Sequence, residues 1–452
     1  MRVRPAAHLV NAAYISKYTR AVQLMKQLPA TDPRNFMQQA NVHCAYCNAA
    51  YEQVGFKTEI QVHASWLFFP WHRLYLYFYE RILGSLIGDP FFALPFWNWD
   101  APDGMRMPSM YTANPTTSSI FDRLRDARHQ PPKLMDLNFN GTDLNLPDSQ
   151  LIQNNLSTVQ VVSNSTAQLF LGMPYRAGNR PDPGAGSIER VPHNTVHDWI
   201  GDPTSRFREN MGNFYSAARD PIFFAHHANV DRMWSIWSEF GRTYTDPDWL
   251  NASFLFYDEN RNLVRATVRD ALTISQLRYS YQGVPILWTS ARPTSKRPKG
   301  SRASNDLKKK ALKAADAFPR SLNNGLIRVI VKRTVINKSR TKKEKEEQPE
   351  VLVIEGIELD AGETVKFDVL VNDDDESTMP DKSEFAGSFV NVSHRHAGME
   401  GEMKIKTSLR LGITDLLEDL GVEDDDELVV TIVPRIGTQN VIIGEVKIEP
   451  PS

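Results

Sequence analysis

Two patterns of apolar positions divide the chain. From Leu9 to Leu28 apolar residues recur at helical spacing, which predicts a helix. A second helix is predicted from Asp220 to Phe240. There Asp220-Pro221 offers a capping carboxylate followed by proline at the first helical position, and Gly241 follows the end. Between them lie the apolar runs Trp66–Trp71 and Leu74–Tyr79, separated by His72 and Arg73, and loops dense in Pro, Asn and Gly such as Arg180–Gly186. Residues 1–290 therefore predict a helical core held by long loops.

From Ala291 the pattern changes. The stretch RPTSKRPKGSRASNDLKKK is basic, polar and free of aromatic residues, which predicts an exposed linker over 291–320 and a natural site for proteolysis. Over 321–452 follow short β-branched, often alternating segments: Leu326–Val335, Val351–Leu359, Val365–Val371, Ser388–Val392, Glu427–Val433 and Val441–Ile448. Charged runs separate them, among them KKEKEEQPE, DDDE and EDDDE. Strands at this spacing predict an antiparallel sandwich or barrel, with one short helix from Thr414, as its cap, to Leu420 before Gly421. No internal repeat is visible.

Composition narrows the function classes. With 452 residues, 41% hydrophobic and 23% charged, the chain can bury more than one core. A formal net charge of -2 gives no whole-molecule attraction to nucleic acid or acidic membrane. No stretch approaches the ~20 apolar residues of a membrane-spanning helix. The start, Met1-Arg2-Val3-Arg4-Pro5, has no apolar signal region, so the protein is expected to stay where it is made or to have lost a targeting segment. Cys44 and Cys47, the two cysteines, form C-x-x-C with no second pair to complete a zinc site.

Histidine carries the candidate chemistry. The chain has eleven, most of them in two clusters: His43, His63 and His72 in HCAYC and QVHASWLFFPWHR, then His193, His197 and His227 in PHNTVH and FFAHHANVDRMW. His193 and His197 are four apart, one helical face. Three neutral imidazoles without carboxylate or thiolate suit copper or zinc. A zinc hydrolase built on His193 and His197 would want H-E-x-x-H, and Asn194 stands where that Glu belongs. A lone H-x-x-x-H is more often structural than a metal site; two three-histidine sets beside aromatic helices reverse that balance.

These strings, with the H-x8-H spacing of His63 and His72, DWL at Asp248–Leu250, Tyr279-Ser280-Tyr281 and KFDV at Lys366–Val369, closely resemble the plant polyphenol oxidases, the tyrosinase and catechol oxidase family. The resemblance runs over essentially the whole chain. It implies a mainly α copper domain with a four-helix-bundle core at 1–290, the exposed linker at 291–320, and an all-β sandwich-like shielding domain at 321–452. It further implies two copper ions, one on His43, His63 and His72 and the other on His193, His197 and His227, with dioxygen as co-substrate. His226 is left beside the site. A thioether between Cys47 and His63 follows from the resemblance, as does Phe214 as a gate over the second metal.

The implied activity is oxidation of o-diphenols to o-quinones, extending to hydroxylation of monophenols. Glu189 and Asn194 would hold a water as general base for the incoming phenol, or Glu189 would simply brace the loop. Asp198 at the pocket mouth would favour cationic phenols, or face solvent. Asp231 would orient a ligand imidazole or form a plain salt bridge, and Arg2 or Arg4 would stack on Tyr279 or Tyr281. The C-terminal domain is expected to block the site until an activating protease cuts the linker. Relatives carry a transit peptide to the plastid thylakoid lumen and a cysteine partner for Cys44, both ahead of where this sequence starts. The alternatives are a dicopper oxygen-binding protein and a zinc hydrolase. Catechol turnover separates the first from an enzyme, and metal analysis separates the second.

Overall fold

The helix Phe68–Leu86 is apolar on nearly every face, and nearly every face of it is buried, as befits a central helix. A computed structural model describes residues 1–47, 49–163, 165–333, 341–396, 399 and 401–449. Around the central helix stand Ala12–Gln27, Phe36–Tyr46 and Ile222–Glu239. Asn11 caps Ala12–Gln27 by accepting from Tyr14 N, so that helix opens three residues later than the apolar spacing suggested. The cap of Ile222–Glu239 is Pro221, one residue on from the predicted Asp220; Asp220 Oδ1 accepts from Ile222 N at 2.9 Å while both its carboxylate oxygens engage Arg125.

Charged groups tie this bundle together where apolar packing alone would leave register open. Arg73 of the central helix donates to Asp231 of Ile222–Glu239 at 2.5 Å and lies over Trp234. Arg4 bonds Glu80 and Asp231, and its guanidinium sits 3.8 Å from the Tyr279 ring centre. Arg2–Arg4 pairs in parallel with Tyr279–Tyr281, so both ends of the helical half meet at one buried charge cluster. The expected stacking thus falls to Arg4, and Arg2 turns to Glu80 and Tyr77.

The C-terminal half is a sandwich of two five-stranded sheets. The first runs Phe385–Asn391, Val365–Val371, Glu427–Ile436, Ile327–Lys332, Leu312–Lys313. In the second, Val351–Asp360 is flanked by Lys404–Gly412 on one side and by Ile442–Ile443 and Glu445–Glu449 on the other. Alternating residues such as Ile327, Val329 and Val331 face Leu352, Ile354 and Leu409 across the sandwich. The predicted strand end at Val335 lies outside the described residues. Thr414 is not the cap of its short helix: Ile413 precedes it, and the Thr414 hydroxyl accepts from Glu350 N instead. Gly421 closes that helix at φ 68°, a left-handed position glycine takes without penalty.

Each half has its own apolar core, and the two share no residue. Most side chains of 291–320 are exposed, yet the segment is docked: Lys296 pairs with Asp373 and Asp375, and Leu312–Lys313 joins the first sheet. No described helix is long and apolar enough to cross a membrane.

Candidate metal centre

The two histidine clusters converge between the central helix and Ile222–Glu239. His193 ends a turn, Glu189–His193, that Val191 breaks with extended backbone, and His197 lies one turn into Asn194–Ile200. His227 comes from the middle of Ile222–Glu239. The Nε2 atoms of His193, His197 and His227 lie 3.2, 3.3 and 3.4 Å from one another. On the far side of the rings, His193 Nδ1 donates to Glu189 O and Asn194 Oδ1, and His197 Nδ1 donates to Met211 O. Those bonds place the His193 and His197 protons on Nδ1 and turn their Nε2 lone pairs toward each other and toward His227 Nε2. Such an arrangement is repulsive without a cation between them. Metal–nitrogen bonds of about 2.0–2.1 Å at tetrahedral angles would separate the nitrogens by about 3.3–3.4 Å, so the residues fit a metal ion.

The first cluster is looser: the donor atoms of His43, His63 and Cys47 lie within 4.8 Å of one another, and the His72 ring stands beside them. His43 comes from Phe36–Tyr46, His63 from the loop before the central helix, and His72 from that helix. Their ring centres are 5.1, 5.2 and 5.8 Å apart. His72 Nδ1 donates to Phe68 O at 2.8 Å, and the buried Nε2 atoms of His63 and His72 have no hydrogen-bond partner. Orphaned buried nitrogens cost free energy unless a ligand satisfies them. The sets adjoin: His72 stacks on His227 with centres 4.3 Å apart.

Burial, reinforced by neighbouring imidazoles, pushes the pKa of His43, His63, His193 and His227 well below the usual value. Burial also brings His72 to about 3 and His197 to about 4. All six rings are therefore neutral at pH 7, the form that binds metal. His226 groups with the second set, but its Nδ1 accepts from the Trp99 indole at 3.2 Å. The proton then sits on its Nε2, leaving no lone pair for an ion. Cys47 lies against the first set, with Sγ 3.2 Å from His63 Nδ1.

The other expected residues divide. Glu189 is buried; its Oε1 accepts from Ala64 N at 2.6 Å, and its Oε2 has no partner. Burial raises its pKa well above the carboxylate range. Asn194 bonds His193 through Oδ1 and donates from Nδ2 to Val390 O of the sandwich. Phe214 stacks on His63 with centres 4.6 Å apart, and stands 5.4 and 6.0 Å from His197 and His193. It therefore lies against rings of both clusters, nearest His63 of the first. Asp198 faces neither pocket nor solvent: it is buried on Arg208, 2.7 Å away. Asp231 touches no imidazole, because Arg73, Arg4, Tyr279 and Tyr281 take up its oxygens.

The C-terminal domain is expected over the site, but the sequence does not single out the residues that cover it. The segment Val390–His396 crosses it from the sandwich: Val392 is buried against Cys47 and Phe214, and the His394 ring meets Phe214 edge-on at 4.9 Å. Asn213, also unforeseen, donates to Arg395 O at 2.6 Å. The string SHRH adjoining the Ser388–Val392 strand was the available signal.

A family model described as the common central domain of tyrosinase matches residues 33–239. A polyphenol oxidase middle domain matches 243–294, and a chloroplastic polyphenol oxidase C-terminal domain matches 318–450. The chain is 56% identical over 467 residues to "Polyphenol oxidase, chloroplastic" of Malus domestica, covering 99% of this chain and 77% of that protein. It is 51% identical over 468 residues to aureusidin synthase of Antirrhinum majus, covering 99% and 81%. The structure of latent apple tyrosinase matches with a TM-score of 0.93 at 55% identity, covering 100% of this chain and 97% of that one.

Proposed function

This chain belongs to the tyrosinase family, in its plant polyphenol oxidase branch, and on that footing we propose how its residues share the work of a copper-dependent phenol oxidase. His43, His63 and His72 hold one copper ion; His193, His197 and His227 hold the other. The observation that carries the assignment is the convergence of three Nε2 atoms 3.2–3.4 Å apart. When bound, the copper pair relays electrons from two o-diphenols to one dioxygen, giving two o-quinones and two waters.

The chain's own groups do the rest. Carbonyls behind His72, His193 and His197 fix ring direction and tautomer. A thioether from Cys47 would lock His63 in place before any ligand arrives, and the sulfur already lies against that ring. Phe214 presents a ring face for an aromatic substrate. The Glu189 carboxyl, raised in pKa by burial, is suited to take a phenolic proton with Asn194 steadying the intervening water. That pairing extends the activity to monophenols.

Val390–His396 blocks the site, so the uncut chain is latent. Cutting within 291–320 by an activating protease leaves the sandwich held by contacts alone, without the tether's effective concentration on the order of mM. The apple relative is named chloroplastic, and we place this chain likewise in the plastid, with the thylakoid lumen as its compartment. Catechol turnover by the copper-loaded chain, before and after limited trypsin treatment, tests the reading. A large rise on cutting is expected; no turnover in either state would reject an oxidase, and equal turnover would reject latency.

A further inference from the structure

Away from the histidine clusters, a cavity of about 130 Å³ lies between the two halves, and none of the six clustered histidines lines it. Val162 and Leu169 reach its wall from the helical half, and Phe385, Leu411 and Leu416 from the sandwich. Its charged lining is mostly basic: Arg190, Arg242, Arg292, Lys345 and Arg410 against Asp415 and Asp419. Protein groups answer most of those cations. Lys345 pairs with Glu418, Arg410 with Glu449, Arg242 donates to Ser163 O at 2.9 Å, and Arg292 faces Asp419. Arg190 is the exception. It is 5% exposed, and among the described residues its guanidinium makes one hydrogen bond, to Ala185 O at a long 3.3 Å. Burial lowers its pKa to about 10, which still leaves it charged at pH 7. The adjoining Glu189 carboxyl accepts from Ala64 N and is driven toward the neutral form by burial, so it supports that charge only in part. Two further buried polar atoms of lining residues, Ser383 Oγ and Arg410 Nε, have no hydrogen-bond partner.

A buried guanidinium with five N–H donors and one weak bond is costly, and an anion beside it offsets that cost. One uncompensated charge calls for a monoanion, and a planar carboxylate matches the guanidinium fork. An apolar cavity of about 150 Å³ holds a benzene-sized molecule, so this volume with these walls admits a single aromatic ring. We propose that the interdomain cavity is a ligand site for arylalkyl monocarboxylates, with the carboxylate on Arg190 and the ring between Leu169 and the sandwich residues Phe385 and Leu411. Such a ligand touches both halves, so it binds the docked form and not the open one. It therefore reinforces latency, a consequence that rests on the latency reading above, whereas the site itself does not. At ten times its Kd the docked-to-open ratio rises about elevenfold.

The probe is 3-phenylpropanoate, titrated by calorimetry into the uncut, copper-loaded chain, with 3-phenylpropanamide and acetate as comparators. Saturable binding of one phenylpropanoate per chain is expected. The amide and acetate should each bind at least about tenfold more weakly, as loss of charged hydrogen bonds or of a buried ring implies. Arg190→Gln removes the cation, and Leu416→Trp fills the cavity from the sandwich side. Each should weaken binding about tenfold or more, with circular dichroism as the check on folding. Leu416 is only half-buried, so its variant decides the matter if Arg190→Gln does not fold. Phenylpropanoate should also lower catechol turnover of the uncut chain relative to the trypsin-cut chain, whereas direct competition at the copper pair would lower both alike. Without ligand, turnover of the cut chain judges the oxidase reading and the uncut-to-cut ratio judges latency. Absence of binding, equal binding of the amide, binding that survives in the folded variants, or an unchanged turnover ratio would overturn the proposal.

Discussion

Lys366 offers the sharpest perturbation of latency. Its buried ammonium donates to Asn138 O at 3.0 Å, to Asn138 Oδ1 at 2.8 Å and to Asn140 Oδ1, all on the helical half, and pairs with Asp368 at 3.1 Å inside the sandwich. Lys366→Met keeps the length and removes the charge. Asp368 retains Arg435 and Ser388, both at 2.6 Å, so no buried carboxylate is orphaned and the sandwich should fold. The loss falls across the domain interface. Bonds to a charged donor contribute roughly 1.5–3 kcal/mol each, and desolvation of the ammonium offsets part of that. A net weakening of docking by about 3 kcal/mol would shift the docked-to-open ratio roughly 100-fold. The assay is catechol turnover of the uncut chain divided by turnover of the same protein after trypsin, with circular dichroism as a check on folding. That ratio should rise by up to the same factor before saturating. Asn140→Ala, made from the opposite side, should move it the same way by less, and the double variant should add little to Lys366→Met. Folded variants with unchanged ratios would refute the latch.

The Asp231→Asn change leaves Arg73 and Arg4 as buried charges with weakened partners, so unfolding free energy should fall by about 3–5 kcal/mol, read by denaturant titration. Burial favours the neutral acid, but Arg73 and Arg4 hold the Asp231 pKa below the usual carboxylate value. Its contribution is therefore fully present above about pH 4 and is lost as pH falls through the depressed value; a wild-type advantage that grew on acidification would contradict this. Peptide mapping should find Cys47 and His63 joined as one species lighter by two hydrogen atoms than its parts, and two separate peptides would exclude the thioether. Glu189→Gln should cut tyramine hydroxylation on the order of 100-fold or more while sparing catechol oxidation, and equal rates would remove Glu189 as a base.

The features legible in the sequence were those with a period or a fixed spacing. Helical spacing at Leu9–Leu28, alternation from Leu326 onward and the four-residue step from His193 to His197 each follow from local geometry. Resemblance supplied the grouping of six histidines, which no single helix or strand determines. What escaped was tertiary: Asp198 lies buried because Arg208 folds back on it, and Asp231 is claimed by arginines from two distant segments. Phe214 meets histidines of both clusters, His63 most closely, and thirteen residues of sequence before His227 say nothing about which rings it meets. Lys366 was noticed as part of KFDV, but its partners Asn138 and Asn140 lie more than two hundred residues away. Val392 and Asn213 belong to opposite halves, and an interface leaves no periodic trace in either.

Metal stoichiometry by mass spectrometry, on the purified chain and on three single variants, bears most directly on the converging imidazoles. Two copper ions per chain are expected for the parent, about one for His72→Ala and for His197→Ala, and two for His226→Ala, whose lone pair is taken by Trp99. A parent holding fewer than two coppers, or His72 and His197 variants that keep both, would contradict the dicopper centre.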